Sequence, residues 1–279
     1  MSSFTNGLTA NQHAYCQIQT LRNELLSLFG SSYVGIYLHG SLATSSFVPN
    51  RSDVDVIIVV NRPLIFNEKK MAASILLAIS LNPYPIELHV VCLDKLRNWH
   101  SSGPFEFHYS EHWRFSYEMN ATLTLTQAMP KEDSDLTSHI KLLHVQGISI
   151  DGPPIARIFP DISDEEFLKI VQQEYQMCLT TMFEQPDYCI LTIIRFWVFM
   201  IDRSLITKQE AVQAGKRFLP EVYHKLLDAS FYDANHTFTD EDLQAFLQYV
   251  ENHIPFKKIN KSVGRELHDI VYRIAERVY

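Results

Sequence analysis

Three short runs rich in β-branched residues lie before residue 93 of this chain: Tyr33-Val-Gly-Ile-Tyr-Leu-His39, Val54-Asp-Val-Ile-Ile-Val-Val60 and Ile86-Glu-Leu-His-Val-Val-Cys92. Each is bounded by turn residues, and each reads as a strand. Past Pro160 the pattern is helical almost throughout, over 164–183, 188–202, 207–215, 219–229, 240–254 and a last segment to Tyr279. Ser163-Asp-Glu-Glu and Thr239-Asp-Glu-Asp have the form of N-caps with acidic first turns. This change of period predicts an α/β domain followed by a helical one. Within the first domain, helices are expected over 12–29, 69–81 and 133–147. Asp151-Gly-Pro-Pro-Ile155 is the strongest local punctuation. The expected domains are therefore 1–157 and 158–279, and 279 residues at 46% hydrophobic composition suffice for two cores.

A net charge of −8 gives no chain-wide positive field for holding nucleic acid through counterion release. A small or cationic partner suits that balance better. Cys16, Cys92, Cys178 and Cys189 show no C-x-x-C pairing, so they read as reduced core residues rather than a disulfide framework or zinc site. The polar start MSSFTNGLTANQHAYCQ is unlike a signal peptide, and no apolar stretch reaches the length of a membrane span. A cytoplasmic location without membrane association is expected.

The chemistry concentrates where His39-Gly40-Ser41 is followed, after eleven residues, by Asp53-Val54-Asp55 at the opening of a strand. Residues two apart in a strand face the same side, so the two aspartates present paired carboxylates. Paired carboxylates repel unless a cation joins them. Mg²⁺ fits, because it takes oxygen ligands and usually shares one or two protein carboxylates with water and substrate phosphates. Gly40 lets backbone approach a phosphate, and Ser41 offers a hydroxyl and an N–H to it. Phosphoryl-type transfer depends mainly on such positioning and charge neutralisation.

Glu87 lies within an otherwise apolar strand, either as a third carboxylate serving as metal ligand or general base, or as an outward-facing strand residue. Arg195 interrupts the apolar run Cys189–Ile201, which calls for either a bound phosphate or an internal acidic partner. Lys208 follows that helix as a second cation or an ordinary surface lysine. Trp113, within Tyr109-Ser-Glu-His-Trp-Arg114, sets a ring among polar groups and suits either ligand contact or packing. His39, His89, His108 and His112 have no metal-like spacing and read as structural.

Together these residues resemble the aminoglycoside adenylyltransferases that modify streptomycin and spectinomycin, within the DNA-polymerase-β-like nucleotidyltransferase superfamily. The resemblance rests on Gly40-Ser41 with Asp53-x-Asp55, Glu87, Glu111-His-Trp-Arg114, Gly152-Pro-Pro154, and Ile190-Leu-Thr-Ile-Ile-Arg195 followed by Lys208 and Leu219-Pro220. It implies a nucleotidyltransferase domain with a mixed sheet and an all-α bundle, with ATP as co-substrate and Mg²⁺ as cofactor. By the same resemblance, Asp53, Asp55 and Glu87 hold metal, and Glu87 is also the base on the drug hydroxyl. Gly40, Ser41, Arg195 and Lys208 bind ATP, and Trp113 and Glu87 contact a drug lying between the domains. Members acting on streptomycin carry acidic residues before the arginine helix, where this chain has Thr181 and Gln185; Glu184 and Asp187 stand close by. The implied partner is a small antibiotic, handled by a monomer. The same core also fits a nucleotidyltransferase with another small-molecule or protein acceptor, or a non-catalytic nucleotide-binding regulator.

Overall fold

The computed structural model describes residues 2–49, 51–233 and 236–254, with side-chain surroundings from residue 11 onward. The chain divides between Phe167 and Leu168 into two compact units. The first contains α1 (Ser2–Phe29), β1 (Tyr33–Leu38), α2 (Gly40–Ala43), β2 (Val54–Val60), α3 (Phe66–Ile79) and β3 (Ile86–Cys92). It continues through α4 (Leu93–Arg97), β4 (Phe107–Tyr109), α5 (Glu111–Leu123), α6 (Asp135–Gln146), β5 (Ile148–Asp151) and α7 (Ile155–Ile158). Helix α8 (Asp164–Thr181) begins there and leads into α9 (Pro186–Asp202), α10 (Lys208–Phe218), α11 (His224–Tyr232) and α12 (Asp240–His253).

The sheet is mixed, with strand order β4-β3-β2-β1-β5. β2 and β3 run parallel, and the other pairings are antiparallel. Alternation sorts the residues: Ile36, Leu38, Val54, Val56, Ile58, Ile86, Leu88 and Val90 enter one buried cluster with Ala14, Ile18, Leu21, Leu25 and Phe29 of α1 and Ala72, Ala73 and Leu76 of α3. The remaining positions, including His39, Asp55, Glu87 and His89, therefore belong to the opposite face. At the far edge of the sheet, Arg22 of α1 donates to Asp151 of β5 through Nε and Nη2, at 2.8 and 2.6 Å.

In the second unit, α9 is the central element. Cys189 to Ile194, Phe196, Trp197, Phe199 and Met200 are all buried, and α10 and α11 pack on it. Tyr175 stacks on Phe196 at 4.7 Å between ring centroids, and Trp197 meets Phe218 at 4.9 Å. Leu243, Phe246 and Val250 supply the buried stripe of α12.

The expected strands are present, and β4 and β5 are additional. With three and four residues, they are too short to show a period of two. Helix α5 is also additional, because Phe115, Met119 and Leu123 lie exposed along it and blur the apolar face. Helix α10 runs past Gly215, whose missing side chain admits Leu227: a Cβ there would stand 2.8 Å from Leu227 Cδ1. The helix expected over 219–229 instead starts at His224, since the residue before Pro220 is held extended. Ser163 and Thr239 cap as expected, their hydroxyls accepting from Glu166 N and Asp242 N at 3.2 Å each. Cys16 is exposed, unlike the other three cysteines, and corrects the expectation of a core residue. The expected segment to Tyr279 lies outside the described residues.

Leu21 is fully buried between α1 and the sheet. Leu21→Ala is expected to lower the free energy of unfolding by about 3 kcal/mol in a urea titration, through lost burial and a residual cavity. A loss below about 0.5 kcal/mol, the size of an ordinary surface substitution, would contradict this packing.

Candidate active site

Strand β1 ends at Leu38, and the chain turns at once into the single helical turn of α2. His39 N donates to Asp55 O at 3.0 Å, which carries the β1–β2 ladder one step past the strand. Gly40 has φ +67°, and a Cβ added to it would fall 1.8 Å from Asp55 Oδ2. Both facts demand glycine: the conformation disfavours a side chain, and the Asp55 carboxylate fills the space one would need. Ser41 Oγ, next along, is buried and has no hydrogen-bond partner among the described residues. A buried hydroxyl of that kind is costly unless a ligand completes it. An anionic oxygen seated on the turn would do so.

Asp53 is exposed and stands one residue before β2, whereas Asp55 is half-buried within it. In the parallel ladder Asp55 pairs directly with Glu87 of β3. Adjacent strands lie about 4.8 Å apart, so the two carboxylates leave neighbouring backbones on one face of the sheet. Glu87 is half-buried. By contrast Glu106, a more deeply buried carboxylate on the same side of the chain order, is satisfied by Lys95 at 2.8 Å, Lys69 at 3.4 Å and Leu64 N at 3.2 Å, and serves the fold.

Beside Glu87 the structure assembles a group of histidines that linear spacing concealed. His89 follows two positions on along β3 and is paired in register with His108 of β4. Their rings lie 4.1 Å apart. His139 of α6 comes within 5.9 Å of His89 and 4.6 Å of His39, again between centroids. Asp133 Oδ2 lies 3.1 Å from His89 Nε2. Burial, reinforced by the neighbouring imidazoles, pushes His39 well below the ordinary histidine range and lowers His89 and His108 too. These rings are therefore neutral at physiological pH. His112 stays apart, exposed on α5 and edge-on to Trp113 at 5.3 Å.

Trp113 is half-buried in the first turn of α5 and packs against the main core cluster. Its neighbours Glu111 and Arg114 are ion-paired. Tyr109 OH also donates to Glu111, at 3.2 Å. In the second unit, Arg195 is half-buried on α9, and its Nε donates to Ile206 O at 3.1 Å. Among the described residues it has no ion-pair partner. The contact draws its guanidinium toward the connection leading into Lys208, the first residue of α10. Lys208 Nζ lies 5.9 Å from the Tyr188 ring centroid. Glu184 and Asp187 flank the α8–α9 connection, the former exposed and the latter half-buried. The geometry thus gathers Gly40, Ser41, Asp55 and Glu87 at one end of the sheet, and Arg195 with Lys208 on consecutive helices.

Residues 18–109 match the model of the nucleotidyltransferase domain, and residues 157–254 match that of the aminoglycoside adenylyltransferase C-terminal domain. The spectinomycin 9-adenylyltransferases of Staphylococcus aureus strains Mu50 and N315 are each 28% identical over 234 residues, covering 82% of this chain and 86% of theirs. The crystal structure of spectinomycin adenyltransferase AAD(9) from Enterococcus faecialis with ATP and spectinomycin aligns with a TM-score of 0.72 at 22% identity. It covers 85% of this chain and 98% of that one, so the two share a fold. The chain thus joins a nucleotidyltransferase domain to an aminoglycoside adenylyltransferase C-terminal domain, in that order.

Proposed function

We propose that this protein transfers AMP from ATP to a hydroxyl of spectinomycin and so inactivates the drug. The observation that carries the reading is the register pairing of Asp55 with Glu87 beside the Gly40–Ser41 turn. It is supported by the S. aureus relatives, whose named acceptor is spectinomycin, and by the related fold that holds ATP and spectinomycin.

In this reading the Gly40–Ser41 turn receives nucleotide phosphate, with the Ser41 hydroxyl as donor. Arg195 and Lys208 are the cations of the helical unit suited to nucleotide phosphate. Asp53, Asp55 and Glu87 offer the carboxylate oxygens that Mg²⁺ takes as ligands, and the ion when bound would neutralise phosphate charge. Glu87 accepts the proton of the drug hydroxyl, whose oxygen bonds to the α-phosphorus as the bond to pyrophosphate breaks. Trp113 offers a ring face to the drug, and Glu184 and Asp187 offer negative charge to its amines. The acceptor is small rather than a nucleic acid, in keeping with a net charge of −8. A single chain supplies every group, and the need for ATP places the reaction in the cytoplasm. No described helix is long and apolar enough to cross a membrane.

Expression in a sensitive bacterial host is expected to raise tolerance of spectinomycin, with streptomycin as a parallel arm. No gain with either drug would sink the antibiotic reading and leave another acceptor. Glu87→Gln keeps the shape of the side chain and removes its basicity, so kcat is expected to fall by about 10²- to 10⁴-fold. Activity within a factor of two of wild type would remove Glu87 from the proton transfer. Gly40→Ala forces a Cβ into the space of the Asp55 carboxylate. It is expected to fold yet lose at least about tenfold in kcat/KM, equivalent to about 1.4 kcal/mol. Unchanged kinetics would show that the tight turn is not needed.

A further inference from the structure

The histidine group adjoins Glu87, whose carboxylate lies within 4.8 Å of ring nitrogens of His89 and His139, and its donor set differs from that of the aspartates. Ring nitrogens of His89 and His108 and a carboxylate oxygen of Asp133 all lie within 4.8 Å of one another. We propose that His89, His108 and Asp133 form a binding site for a divalent transition metal of the Zn²⁺ type, separate from the Asp53 and Asp55 carboxylates.

Three features support this assignment. The first is donor chemistry: two imidazoles and one carboxylate suit Zn²⁺, Co²⁺ or Ni²⁺, whereas Mg²⁺ prefers oxygen ligands. The second is spacing. His89 Nε2 and Asp133 Oδ2 are 3.1 Å apart, and two ligands on one tetrahedral Zn²⁺ stand about 3.3 Å apart when each bond is about 2.05 Å. His108 needs to close in by at most about 1.5 Å to complete the set.

The third is that the scaffold fixes the ligands before any ion arrives. His89 and His108 are register partners on β3 and β4. Asp133 is tied from both sides: its N donates to Gly103 O at 2.9 Å, and its Oδ1 accepts from Asp135 N at 3.0 Å. Gly103 has φ +69°, and a Cβ on it would fall 1.7 Å from Asp133 O, so this approach also depends on glycine. The Oδ1 contact leaves Oδ2 directed at His89. Asp133 itself is 27% exposed, which gives an ion access and leaves a fourth position for water.

The test is calorimetric titration of ZnCl₂ alone into tag-free, EDTA-treated and dialysed full-length protein, without ATP or drug. One equivalent is expected to bind. Asp133→Asn and His108→Phe are each expected to weaken binding at least tenfold, while Asp53→Asn/Asp55→Asn leaves it within a factor of two. No binding to the wild type overturns the proposal, and so does binding lost with the Asp53/Asp55 pair but kept in Asp133→Asn. If His108→Phe does not fold, the partly exposed Asp133 carries the comparison. Neither ATP nor an acceptor takes part, so this outcome is independent of the proposed transfer reaction.

Discussion

Parallel pairing of β2 with β3 is the constraint on which the site depends. That pairing sets Asp55 opposite Glu87 and Ile57 opposite His89. A slip of one residue would turn Glu87 into the core and Leu88 toward the phosphate turn, so register and chemistry are specified together. The register is in turn fixed by burial, because Val54, Val56 and Ile58 must share one face with Ile86, Leu88 and Val90 beneath α1 and α3. A hydrophobic preference that knows nothing of catalysis thereby places two carboxylates side by side.

A second constraint is space. Gly40 and Asp55 cannot both have side chains of ordinary size, and the protein gives the room to the carboxylate. The result is a turn whose backbone at Gly40 stands against the Asp55 carboxylate, with Ser41 next along the chain. Positioning of this kind supplies much of the rate in nucleotidyl and phosphoryl transfer, where little covalent chemistry falls to the protein.

The fold class was legible because its signals are local. Strand alternation, N-caps such as Thr239 and the turn at Asp151–Pro154 each occupy a few consecutive residues. Gly40, Ser41, Asp53 and Asp55 could be singled out for the same reason. Glu87 drew attention as a charge in an apolar run, but its place opposite Asp55 depends on a pairing across some thirty residues of chain that no local pattern encodes. The histidines show the limit most clearly. His39, His89, His108 and His139 come from β1's end, β3, β4 and α6, and only tertiary packing brings their rings together. Gly215 misled for a related reason: glycine ends helices locally, yet here it answers to Leu227 on another helix.

In the proposed reaction the protein moves the adenylyl group of ATP and not the terminal phosphate. Parallel reactions with ATP radiolabelled at the α- or γ-phosphate, each with Mg²⁺ and spectinomycin, test this most directly. Label should reach the drug from the α position alone, with the γ label recovered in pyrophosphate. Label on the drug from the γ position, or from neither, would contradict it.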